Sequence, residues 1–219
     1  MKIVLLPGMD GTGKLFAPFL HLLSTSTIII PFPQSGSQSY EFLASYVETQ
    51  LPNEKFIIVA ESFSGPIAAL LAAKKLENLK GIVFIATFLS CPKPTLVLLA
   101  KLAPVKSLLG FPFAKYLISR FLLGSFNYSK FVDALNEVPN SIIRERLSSI
   151  RNLKKAREHS NLPSIYLSAS SDYLVSSNQI TLFHQNFSNL KVEYIEGTHF
   201  LLQSNPRVCS EIINKFVNV

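Results

Sequence analysis

The sequence predicts an α/β fold: a mostly parallel six-stranded sheet flanked by helices, with an inserted all-helical cap. Three observations carry that expectation. Short β-rich apolar runs alternate with helical patterns over most of the 219 residues. Runs such as Ile28-Ile29-Ile30 and Ile57-Ile58-Val59 are apolar at every position, which suits strands covered on both faces. The alternation stops between Thr87 and Asn161, then resumes at Ser164.

The expected strands are Lys2–Leu6, Thr27–Pro31, Phe56–Ala60, Gly81–Ala86, Ser164–Ala169 and Lys191–Ile195. Helical patterns lie between them at Lys14–Leu23, Tyr40–Gln50, Gly65–Leu76, Asn178–Asn186 and Pro206–Phe216. Strands separated by helices imply right-handed crossovers and a parallel sheet. Pro206 suits the first turn of the last helix, with Asn205 as its cap. The interruption reads as helices near Thr95–Leu109, Pro112–Leu123, Ser129–Leu135 and Asn140–Arg157, separated at Pro104, Gly110-Phe111-Pro112, Gly124 and Pro139. The expected division is therefore a core of residues 1–86 and 162–219 and a helical cap of residues 87–161.

Charge is distributed unevenly. Residues 92–160 carry twelve Lys/Arg and four Asp/Glu, so this segment holds all of the net +7 of the chain. Such a surface favours acidic partners and speeds their association. The basic residues alternate with Leu, Ile and Phe rather than polar contact residues, which argues against nucleic acid. Cys91 and Cys209 are far apart and lack metal-type spacing, so a reducing compartment is expected. The N-terminus Met1–Gly8 is too short for a signal-peptide apolar region and lacks a cleavage site, so none is expected. Leu96–Leu123 is broken by Lys101, Lys106, Lys115 and Arg120, so no membrane span is expected. These readings point to a cytoplasmic protein.

Chemistry concentrates at strand ends. The run Phe56–Ala60 passes through Glu61-Ser62-Phe63-Ser64-Gly65 straight into a helical pattern. A serine on so sharp a turn needs small residues two before and two after it, here Ala60 and Ser64. By itself Ser62 could equally cap the helix. A nucleophilic serine also needs a base, and the base an orienting acid. Asp172 follows the strand Ser164–Ala169, and His199 follows Lys191–Ile195 in the loop Glu196-Gly197-Thr198-His199. His21 and His184 fall in helical patterns, and His159 ends the cap. The glycine loop Pro7-Gly8-Met9-Asp10-Gly11-Thr12-Gly13 after the first strand leaves backbone amides unobstructed. Met9 N–H would pair with Phe63 N–H as an oxyanion hole. Its G-x-x-G-x-G spacing matches neither the dinucleotide fingerprint nor Walker A.

Together these segments resemble the α/β-hydrolase superfamily. Ala60–Gly65 is similar to its nucleophile elbow, Leu6–Met9 to its oxyanion loop, Ser171-Asp172 to its acid turn and Gly197-Thr198-His199 to its histidine loop. Departures are Pro7 in place of a histidine, and Ala60 and Ser64 in place of the elbow glycines. The resemblance implies a sheet without the first two strands of the full fold. It also implies that Lys2–Leu6 lies between Thr27–Pro31 and Phe56–Ala60. It implies a serine esterase with catalytic Ser62, Asp172 and His199, oxyanion donors Met9 and Phe63, and no metal or organic cofactor. Ser64 is a secondary candidate nucleophile. The cap suggests an apolar acyl channel under a basic surface, as in the pimeloyl-acyl-carrier-protein methyl ester esterases. The substrate expected is a small acyl ester, with an acidic acyl carrier protein docked on the cap. Alternatives are a thioesterase acting on carrier- or CoA-bound acyl groups, a lipase at a lipid surface, and a non-catalytic small-molecule binder on the same scaffold.

Overall fold

The computed structural model describes residues 1–102, 105–154 and 159–218. Six strands form one all-parallel sheet in the order β2-β1-β3-β4-β5-β6. They are β1 (Lys2–Leu6), β2 (Thr27–Ile29), β3 (Phe56–Glu61), β4 (Leu79–Ile85), β5 (Ser164–Ala169) and β6 (Leu190–Ile195). The expected position of the first strand between the second and third is observed.

The central strands are apolar on both faces because both faces are covered. Val4, Leu6, Ile58, Ala60, Ile82, Phe84 and Tyr166 join one buried cluster. Their alternating neighbours Ile3, Leu5, Ile57, Val59, Val83, Ile85, Ile165 and Leu167 join another. This is the two-residue period of a strand read from both sides. The first face is covered by α2 (Tyr40–Glu48), α3 (Gly65–Ala73) and, after β5, the helix Asn178–Asn186. The second is covered by α1 (Ala17–Leu20) and the C-terminal helices Leu201–Ser204 and Pro206–Val217.

Between β4 and β5 the regular elements among the described residues are helices: α4 (Pro94–Leu102), α5 (Val105–Leu108), α6 (Pro112–Ile118), a π-helical turn Ser119–Leu123, α7 (Tyr128–Asn136) and α8 (Asn140–Asn152). The chain-order labels α9, α10 and α11 then fall on Asn178–Asn186, Leu201–Ser204 and Pro206–Val217. Among the described residues no helix is long and apolar enough to cross a membrane.

Several boundaries differ from expectation for local reasons. The predicted helix Lys14–Leu23 is a 3₁₀ turn at Lys14–Phe16 followed by the single turn α1. Leu22 and Leu23 then bond three residues back, to Phe19 and Leu20 carbonyls, which tightens and ends it. β2 stops at Ile29 because Pro31 has no N–H to extend the ladder. α3 stops at Ala73 because Lys75 adopts φ +51°. β4 starts earlier, at Leu79, with a register shift between Phe56 and Ile57 absorbing Lys80. Asn205 stands at the start of α11, but its amide donates to Glu196 O and Ser204 Oγ rather than capping the helix. The expectation of helix out to Arg157 extends into residues outside those described; α8 itself ends at Asn152.

The large apolar side chains of the inserted helices do not all turn inward. Leu99, Leu102, Phe111, Phe113 and Tyr116 are exposed. The inward residues Val97, Leu135, Val138, Ile142, Ile143, Leu147 and Ile150 pack into the core cluster instead. The apolar content of this segment is thus divided between a packed interface and an outer face, where the sequence suggested the lining of a channel.

One close approach fixes how α3 meets β4. A Cβ on Gly65 would overlap the Thr87 hydroxyl and lie 2.8 Å from its Cγ2. Gly65→Ala is therefore expected to destabilise the fold by about 1–3 kcal/mol, as overpacking does. Urea unfolding would measure it, and an unchanged midpoint would contradict the close packing.

Candidate active site

β3 ends at Glu61, and Ser62 breaks from it with φ +50°, a left-handed conformation that costs a non-glycine residue energy. Neighbouring groups hold it there. Ser64 Oγ donates to Leu6 O and Glu61 O, each at 2.9 Å, and Thr87 Oγ1 donates to Ser62 O. Ser64 is fully buried and its hydroxyl is engaged twice, so it braces the turn and is not a second nucleophile. Phe63 buries its ring against Phe32 and Tyr40, anchoring the turn from below.

The structure brings Ser62, His199 and Asp172 into one hydrogen-bonded line, although they lie in three different loops. Ser62 Oγ is 2.8 Å from His199 Nε2, and His199 Nδ1 is 2.8 Å from Asp172 Oδ2. The other oxygen of Asp172 accepts from Leu174 N–H (2.8 Å) and Val175 N–H (2.9 Å). A carboxylate only accepts, so Nδ1 carries the proton and Nε2 presents its lone pair to Ser62. The loops are tied together by Ser171 N–H donating to Gly197 O and Gly197 N–H to Ser170 Oγ. His199 is buried, whereas His21, His159 and His184 are exposed.

The glycine loop lies against the same serine: a Cβ on Gly8 would fall 3.9 Å from Ser62 Cβ. Gly11 N–H donates to Gly8 O at 3.0 Å, closing a tight turn over Met9 and Asp10. Met9 N–H has no partner among the described residues. Phe63 N–H belongs to the first turn of the helical run Ser62–Ser64, ahead of its first internal bond from Gly65 N–H to Ser62 O. Among the described residues no cluster of three or more His, Cys, Asp or Glu could hold a metal ion.

Two charged residues at the site escaped the sequence reading. Glu61 is buried directly beside Ser62 and accepts from Gln203 Nε2 at 3.2 Å. Burial pushes its carboxyl up to about 7; Asp10 adds to the rise, and Gln203 and His199 oppose it. Burial pulls the His199 imidazole down, but the charge and hydrogen bond of Asp172, helped by Glu61, outweigh this and raise it. The second residue is Arg146 on α8, whose guanidinium reaches the glycine loop. Its signal was legible: it interrupts the apolar stripe Ile142, Ile143, Leu147, Ile150 of an otherwise amphipathic helix.

Glu61 couples stability to pH. Its folded pKa lies above the ordinary 4.5, so its contribution is full below pH 4.5 and is lost as pH rises through about 7. Glu61→Gln is therefore expected to raise stability at pH 8, by on the order of 3 kcal/mol at most, and to change it little at pH 4. The new amide can also donate to Gln203 Oε1, which has no partner among the described residues. Thermal melts at the two pH values decide it; an equal shift at both would contradict the buried-carboxyl account.

The chain superposes along all of its length on an enol-lactonase from Burkholderia xenovorans LB400, with a TM-score of 0.84, 13% identity and 91% of that chain covered. An esterase from Exiguobacterium antarcticum gives a TM-score of 0.82 at 14% identity, covering 100% of this chain and 92% of the other. A hydrolase from Pseudomonas aeruginosa PA01 gives 0.80 at 13% identity, covering 100% and 90%. No protein-family model and no curated protein sequence matches the chain. The fold is the α/β-hydrolase fold.

Proposed function

We propose that the protein is a serine hydrolase of carboxylic esters, with Ser62 as nucleophile, His199 as base and Asp172 as its orienting acid. The single observation that carries this reading is the hydrogen-bonded line from Ser62 through His199 to Asp172, begun at a serine held at φ +50°. His199 Nε2 takes the Ser62 proton as Oγ bonds to the ester carbonyl carbon. The carbonyl oxygen becomes an oxyanion facing the N–H groups of Met9 and Phe63. Its collapse breaks the C–O bond, and the imidazolium protonates the departing alcohol. Water, deprotonated by His199, then attacks the acyl-enzyme, and Ser62 leaves with the proton while the carboxylic acid is released. The structural neighbours described as a hydrolase, an esterase and an enol-lactonase are consistent with this chemistry.

For the substrate, residues 87–161 act as a cap over the core, and an acyl group presented by an acidic carrier protein is the reading favoured. The methyl ester of a pimeloyl-carrier protein is its most specific form, and a cytoplasmic setting goes with it. What supports it is the outer face of the inserted helices, where Leu99, Leu102, Phe113, Lys115 and Arg120 are exposed in a stretch without acidic residues from Asn78 to Val132. A fluorophosphonate probe tests the chemistry. Labelling at Ser62 that disappears in His199→Ala supports it, and an unlabelled Ser62 in folded protein overturns it. Hydrolysis of methyl pimeloyl-carrier protein against acyl-CoA and p-nitrophenyl butyrate tests the substrate. If the carrier-bound ester is not preferred over p-nitrophenyl butyrate, the carrier reading falls; preference for acyl-CoA would make the protein a thioesterase.

A further inference from the structure

We infer that Arg146 is the positioning residue that holds the Met9 amide ready for the tetrahedral intermediate, linking the inserted helices to the catalytic loop. This rests on the ester-hydrolase reading above. Arg146 projects from α8 and is 0% exposed. Every hydrogen bond of its guanidinium is to a neutral oxygen, and its carbon lies 5.7 Å from the centre of the Phe32 ring. Nη1 donates to Met9 O and Asp10 O, each at 2.8 Å; Nη2 donates to Pro33 O at 3.1 Å; and Nε donates to Gln38 Oε1 at 2.9 Å. Among the described residues no carboxylate lies within ion-pair distance of it. A buried charge without a direct ion pair is costly and persists where dipoles are arranged around it, and the nearby Asp10 carboxylate favours the charged guanidinium as well. Here two of the four acceptors are carbonyls of the glycine loop itself.

The geometry fixes Met9 from both sides. The peptide carrying Met9 N–H is held by Gly11 N–H on Gly8 O. The next peptide, carrying Met9 O, is held by Arg146. Gly11, at φ +67°, is shaped to the guanidinium, since a Cβ there would fall 2.8 Å from Arg146 Cζ. Gln38, itself buried, completes the frame by donating to Pro33 O and Gly36 O at 3.2 Å. Without Arg146 the carbonyls of Met9 and Asp10 would lose a buried donor, and rotation about Met9 would let its N–H swing away from Ser62. Because an oxyanion donor acts on the transition state and not on the bound ester, the loss should appear in kcat rather than KM.

The experiment compares wild type, Arg146→Met and Arg146→Lys. It uses p-nitrophenyl butyrate, a trifluoromethyl ketone that adds Ser62 to form an oxyanion, and the matching methyl ketone. Folding is checked by near-UV circular dichroism. Arg146→Met is expected to lose about 10²-fold in kcat with KM within about threefold. Affinity for the trifluoromethyl ketone should fall by the same factor as kcat while methyl-ketone affinity holds. Arg146→Lys keeps a charge that reaches Met9 O and Asp10 O but cannot fork to Pro33 and Gln38, so it should recover about tenfold of the loss. If Arg146→Met does not fold, Arg146→Lys carries the comparison. A folded variant with kcat within twofold of wild type overturns the inference, as does a methyl-ketone affinity that falls as far as kcat. A wild type that hydrolyses no ester and takes no probe at Ser62 would instead overturn the hydrolase reading itself.

Discussion

Ser62→Ala is expected to lower kcat for a soluble ester by about 10⁶-fold while leaving the fold intact. The Ser62 hydroxyl bonds to His199 at 2.8 Å, whereas the bracing of the turn comes from Ser64 and Thr87. Removing the nucleophile therefore removes the covalent path without unpinning the backbone. His199→Ala should cost a comparable factor, because a serine hydroxyl without its base is a weak nucleophile. The double variant should be no worse than either single one, since the two groups act as a unit. Single-turnover kinetics with p-nitrophenyl butyrate would measure all three. Retention of activity within 100-fold in Ser62→Ala would rule out the mechanism; losses that multiply in the double variant would rule out the coupling.

Asp172→Asn is expected to cost about 10⁴-fold in kcat at neutral pH with little change in secondary structure. The reason lies in how this carboxylate is surrounded. One oxygen already accepts from the N–H groups of Leu174 and Val175, and the other faces His199 Nδ1. An asparagine would keep its single oxygen on the two amides and turn its NH₂ toward the imidazole. Nδ1 would then have to accept, the proton would move to Nε2, and His199 could no longer take the Ser62 proton. Nitrogen NMR of the imidazole should report the Nε2–H tautomer in the variant. Activity within tenfold of wild type, or an unchanged tautomer, would contradict this account.

Much of the architecture was legible because buried parallel strands leave a plain mark. Runs such as Ile57-Ile58-Val59 have apolar residues at every position because alternate residues feed the two opposite clusters. Chain order and turn residues then placed Ser62, Asp172 and His199 just beyond the ends of β3, β5 and β6. Helix lengths were less legible. The break at Lys75 depends on a left-handed residue with no special sequence signature, and α1 shrinks to one turn through bonds three residues back. The outward display of Leu99, Leu102 and Phe113 was also invisible, since an apolar residue in a helix carries no label for inside or outside.

The sequence by itself determined the parallel sheet, the helical insertion and the three strand-end residues, because these follow from local periodicity and chain order. Only the tertiary structure decided what surrounds them. Glu61 is raised to about 7 because folding buries it, against the lowering hydrogen bond from Gln203, and Ser64 is a brace because Leu6 O and Glu61 O arrive beside it. Arg146 meets Met9 and Asp10 across more than a hundred residues of chain. Burial and long-range hydrogen bonding are properties of the assembled fold, and no local pattern of residues fixes them.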